Sequence, residues 1–153
     1  MAYHTFNSIA EYRMAIDRAI DEAMEDEVLN RVQLEMMDSI EQNVYGAYSP
    51  EYTGRPGTIK SPRRVHGGLK DRANLFGNYT PGTKTLTVEA IADWQNVGFR
   101  TTTGDGTYGE LSEVIEQEGM YGAPPRPFAW FAEEECKKKI PNVLRSALIR
   151  RGL

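Results

Sequence analysis

Between Ser8 and Tyr45 the chain contains neither proline nor glycine, and Ile16, Ile20, Met24, Val28, Val32, Met36, Ile40 and Val44 recur at every fourth position. Residues four apart lie on one side of a helix, so this spacing predicts an unusually long amphipathic helix. Ile9, Tyr12, Leu29 and Met37 widen the stripe, and Ser8 with Glu11 forms an S-x-x-E capping box at its start. Four residues overshoot a 3.6-residue turn by about 40° at each step. The stripe must therefore wind around a straight helix, or the helix must break; Glu27–Arg31 is where a break would absorb the drift. Such a helix exceeds the usual length and either lies along its own sheet or reaches toward a partner.

Gly46 is expected to end the helix as a C′ residue. The segment from Ala47 to Gly68 then holds Pro50, Pro56, Pro62, Gly54, Gly57, Gly67 and Gly68, which exclude helix and central strand. It also carries Arg55, Lys60, Arg63, Arg64 and His66. A basic loop of this length is expected to contact a partner, either nucleic-acid phosphates or an acidic protein surface. Leu69–Tyr79 and Thr83–Trp94 read as strands joined by Thr80-Pro81-Gly82. Leu86, Val88, Ala90 and Ala92 lie on one face of the second, opposite Thr85, Thr87, Glu89, Ile91 and Asp93. A third short strand is expected over Val97–Thr102 and a short helix over Leu111–Gln117. Phe128, Trp130 and Phe131 open a last helix behind the stiff connector Gly122–Pro127, with Pro141 kinking or restarting it near Ile140. The fold class is α+β in a single domain: long helix 1–46, basic loop 47–68, sheet 69–103 and helices 109–153.

Charge alternates along the chain. Glu11–Glu41 carries ten acidic and three basic residues, Glu51–Arg72 two and six, Ala73–Glu118 seven and two, and Gly119–Leu153 three and seven. The net of −4 is the residue of blocks of −7, +4, −5 and +4. Unlike patches on identical copies favour head-to-tail contact, although solvated helix faces would give the same pattern. The single cysteine, Cys136, excludes an internal disulfide, and His4 and His66 alone build no metal site. Cys136, a lone thiol with no identifiable base, reads as a packing residue, with Lys137–Lys139 as the feature that could lower its pKa. Phosphate loop, H-E-x-x-H and C-x-x-C motifs are absent, and Gly104-Asp105-Gly106 lacks the carboxylates of a calcium loop. The expectation is therefore a non-enzyme with no cofactor and no metal. An apolar run long enough for a membrane span is missing, and the start lacks the pattern of a signal peptide.

Three segments occur in a fixed order: Val44-Tyr45-Gly46-Ala47-Tyr48-Ser49-Pro50-Glu51-Tyr52 with Arg55 and Gly67-Gly68-Leu69; Leu86–Trp94 before Leu111–Glu116 and Glu118-Gly119; and Pro125-Arg126-Pro127-Phe128. In this order the chain resembles the small neck proteins of long-tailed bacteriophages and prophages, known as head–tail connector, tail-completion or minor capsid proteins. The insertion Thr53–Val65 and the loop Arg100–Gly106 are longer than in that pattern. The resemblance implies an α+β unit that forms a ring of its own copies at the portal–tail junction. Its partners would be head-side stopper or portal-adaptor proteins and the tail tube or tail terminator, with non-specific contact to DNA in the channel and none to membrane. Its place would be the virion neck, after assembly in the host cytoplasm. The residues implied as partner-binding are Tyr48, Tyr52, Arg55, Lys60, Arg63, Arg64, Arg126 and Phe128. Arg126 would fork onto a carboxylate such as Glu116 or Glu118, while Phe128 could equally sit in the core. The alternatives are a tail terminator capping the tube, or a DNA-binding accessory protein.

Overall fold

A computed structural model of the protein describes residues 5–46, 69–91, 116 and 125–153. The Pro/Gly-free stretch is helical from Ile9 through Tyr45, as α1 (Ile9–Ala23), a π-helical turn (Met24–Val28), α2 (Leu29–Ile40) and a second π-helical turn (Glu41–Tyr45). Backbone angles stay right-handed across each junction, so the helix does not break. The two π turns answer the drift of the stripe. An i→i+5 turn takes in one extra residue and sets the downstream residues back by about 100°. The stripe is thus returned to one side, near the place where the drift predicts a break. Ser8 caps the start by accepting from the Glu11 N–H at 3.1 Å, and the Glu11 carboxylate reaches back to the Asn7 N–H at 2.8 Å. Gly46 closes the helix in right-handed geometry (φ −75°), not as the left-handed C′ residue the sequence suggests, and donates to the Glu41 carbonyl at 2.7 Å. The wide last turn captures that N–H before a left-handed cap is needed.

The sheet is a hairpin of β1 (Leu75–Thr80) and β2 (Thr85–Ala90), antiparallel, with Leu75 opposite Ala90 and Thr80 opposite Thr85. Both strands are shorter than the sequence suggests. Asp71 accepts from the Ala73 N–H at 3.0 Å and starts a 3-10 turn, Arg72–Asn74, so a local side-chain bond displaces the ladder there. In β2 Leu86, Val88 and Ala90 are half-buried while Thr85, Thr87 and Glu89 are exposed, as the alternation predicts. Four residues turn the hairpin, and Lys84 takes the left-handed conformation there (φ 53°). The expected strand Val97–Thr102 lies outside the described residues, as does the helix Leu111–Gln117 apart from Glu116.

The last helix, α3, runs without interruption from Phe128 to Arg150 with Pro141 inside it. The expected restart at Ile140 does not occur: the helix tolerates exposed Pro141 at the cost of one backbone hydrogen bond, with regular turns on both sides to hold the axis. α3 lies antiparallel to the long helix: its first residue bonds to Ser39, its middle to Glu35 and its end to Glu22, Asp26 and Glu27. The hairpin packs along the same helix, from Gln33 beside Leu75 to Asp21 beside Tyr79. Gly77 makes room for Leu29, since a Cβ there would lie 2.2 Å from Leu29 Cδ1. The core forms where the three elements converge: Met36, Ile40, Val44, Leu69, Leu75, Phe128 and Ala132. The architecture is α+β. Among the described residues no helix is long and apolar enough to cross a membrane.

Candidate partner-binding surface

Of the eight residues expected to bind partners, Tyr48, Tyr52, Arg55, Lys60, Arg63 and Arg64 lie outside the described residues. Arg126 and Phe128 fall at the joint where α3 begins. The joint is held by polar groups that the long helix supplies. Ser39 Oγ donates to the Phe128 carbonyl at 2.6 Å, and Asn43 Nδ2 donates to both Ser39 O and Oγ, at 3.0 and 3.1 Å. Arg126 Nη1 donates to the Asn43 carbonyl at 3.4 Å, so its guanidinium reaches the end of the long helix. Glu116, one of the carboxylates expected to receive Arg126, accepts from the backbone N–H groups of Ala129 and Trp130. Those are orphan donors of the first helical turn, and Pro127 offers no capping side chain of its own. Burial pushes the Glu116 carboxyl above its ordinary range, and the two N–H groups pull it back.

Phe128 is fully buried in the core, the second of the two places the sequence allows it, and is not exposed on this chain for a partner. A ring packed against Met36, Ile40 and Val44 stabilises the joint and has no surface to offer. The aromatic side chains exposed at this place are its neighbours Trp130 and Phe131, in an edge-to-face pair with centroids 4.9 Å apart. The sequence holds the signal for this, because three large aromatics within four positions cannot all face one core.

The acidic and basic blocks meet within the chain. Arg151 reaches Glu27 at 2.7 Å, Asp26 at 3.2 Å and Glu22 at 3.7 Å, and Arg150 reaches Glu27 at 3.2 Å. Lys139 reaches Glu35 at 2.8 Å, Lys70 reaches Glu41 at 3.2 Å, and Lys84 reaches Asp21 at 2.5 Å. Among the described residues, charge complementarity expected between copies thus serves folding, and Arg151 is mostly covered. Hydrogen bonds from Lys84 and Tyr79 hold the Asp21 carboxyl below its usual range, and Arg151 does the same for Glu27. Burial, with Asp21 alongside, pushes the Tyr79 phenol up to about 12. Cys136 behaves as the packing residue and not as an activated thiol. Burial and the Glu35 charge raise its thiol pKa and outweigh Lys139, so the basic run does not activate it. Among the described residues no group of three His, Cys, Asp or Glu side chains could hold a metal.

Gln33, Glu35, Ser39 and Asn74 are buried polar residues that the apolar pattern does not reveal. Gln33 donates to the Leu75 carbonyl at 2.9 Å and accepts from Arg72 Nε at 2.9 Å, pinning the hairpin to the long helix. No curated protein and no solved structure matches the chain. One family model, YomN, matches residues 8–150.

Proposed function

This chain belongs to the YomN family, a phage-derived family, and from that premise we propose that it is a structural protein of a tailed-phage virion. It forms a ring in the neck and joins the portal and stopper of the head to the tail, completing the particle without catalysing a reaction. What supports this reading is the order of segments, from Val44–Tyr52 through Leu86–Trp94 to Pro125–Phe128, which resembles that of neck proteins, on a chain of a phage-derived family. The architecture supports it. A neck ring repeats one small α+β unit, and here a long helix carries a hairpin and a second helix while its first turns project past both. Polar joints and ion pairs hold the unit together, which suits a part that folds before it docks.

The test is a deletion of its gene in the phage or prophage, followed by electron microscopy and mass spectrometry of purified particles. Neck function gives DNA-filled heads and separate tails in the deletion, and many copies per particle at the head–tail junction of the wild type. Tails of uncontrolled length would instead support the tail-terminator reading. Absence of the protein from intact particles would overturn both.

A further inference from the structure

We propose that the N-terminal turns of α1 in one copy seat on the Trp130–Phe131 pair of a second copy, giving a head-to-tail interface. The interface deepens the ring reading and rests on it. The buried stripe of the long helix is covered by α3 and the hairpin only as far as Ala19. α3 ends opposite Glu22–Glu27, and the hairpin turn ends opposite Asp17 and Asp21. Over the next three turns or so toward the N-terminus, the same face presents Ile16, Tyr12 and Ile9. Ile9 is 75% exposed and Tyr12 45%, and Phe6 stacks edge-to-face on Tyr12 with centroids 5.2 Å apart. Phe6, Asn7, Ser8, Ile9 and Tyr12 line an open depression there. At the other end, where α3 meets Ser39, Trp130 is 53% exposed and Phe131 40%.

Ile9 and Ser39 lie about 45 Å apart along one helix, so the two apolar patches cannot cover each other within a copy. Between copies they can, and a patch that meets a different patch is the heterologous contact from which rings close. Charge selects this pairing over like on like. Arg13, one turn beyond Ile9, has no carboxylate partner among the described residues. Glu133 and Glu134, one turn beyond Trp130, share a single cation, Lys137, at 2.9 and 2.7 Å, which leaves a net negative charge there. An Arg13 from the next copy balances it, and the aromatic pair supplies the kind of anchor on which interface energy concentrates.

Two full-length variants test the proposal. Ile9→Asp with Tyr12→Asp blocks one end; Trp130→Asp with Phe131→Ser blocks the other. Sedimentation velocity should find each variant monomeric, while their mixture forms a 1:1 dimer that grows no further. In the copy that keeps its N-terminal patch, Arg13→Glu should weaken that dimer about tenfold, and Glu134→Arg in the other copy should restore it. A mixture that stays monomeric at every soluble concentration overturns the interface, as does assembly of either variant alone to the wild-type size. If a double variant loses helical circular dichroism, the Arg13→Glu and Glu134→Arg pair on the otherwise native chain decides by the same measurement. Rings in wild-type particles alongside a failed mixture would remove this interface and leave the neck reading standing. Particles without rings would remove the neck reading itself.

Discussion

Glu35 is a carboxylate at 3% exposure, held between Arg31 Nη2 at 2.5 Å and Lys139 Nζ at 2.8 Å. Arg31 and Lys139 each keep over a third of their side-chain exposure, so it is removal of both cations that leaves a desolvated, unbalanced charge, the buried carboxylate. Arg31→Ala with Lys139→Ala should therefore lower unfolding stability by about 3 kcal/mol, whereas the exposed Glu133→Ala should cost under about 1 kcal/mol, both read from urea melts. Phe128 stabilises by packing, and its replacement by alanine should cost about 3–5 kcal/mol in the same measurement. The two residues differ in how far their roles can be read ahead. Phe128 is apolar in an apolar context and is legible as a core candidate. Glu35 lies in the acidic block with Arg31 one turn before it, and its second cation, Lys139, comes from a helix over a hundred positions away.

The elements carry their own tests. Pro141 sits in an exposed turn inside α3, where it removes a backbone hydrogen bond and crowds the preceding turn. Pro141→Ala should raise stability by about 1–3 kcal/mol, seen as a higher Tm. The π turn Met24–Val28 amounts to one extra residue in an otherwise regular helix. Deleting the exposed Glu25 should convert it to an α turn, keep both flanks facing the core and leave a cooperative melt. Deleting Asn30 in α2 should rotate one half of the stripe by about 100° and abolish that melt. Periodicity made the helix and its need for a correction visible. The form of the correction was not visible, because a π turn and a chain break relieve the same drift, and packing against both α3 and the hairpin favours the one that keeps the axis.

In the whole molecule, carboxylates tie both outer elements to the long helix: Asp21 to the hairpin through Lys84 and Tyr79, and Glu27 to the end of α3 through Arg150 and Arg151. Both carboxyls are held below their ordinary values of 3.8 and 4.5. A lowered folded pKa contributes stability that is present above the unfolded value and is lost as pH falls through the folded one. Tm should therefore drop steeply below about pH 4.5, and the drop should be shallower in Asp21→Asn and Glu27→Gln, which are already weakened at neutral pH. By itself the sequence determined the long helix, the hairpin with its inward face, the final helix and the α+β class. These follow from local periodicity and turn chemistry, which act over a few residues. Tertiary structure alone decided that, among the described residues, carboxylates of the long helix pair with cations of the hairpin and α3, that Trp130 and Phe131 are left exposed beside the buried Phe128, and that burial and Glu35 raise the Cys136 thiol pKa. Each of those depends on which distant segment lies alongside, and burial and Coulomb forces act on proximity in space, which a linear pattern does not record.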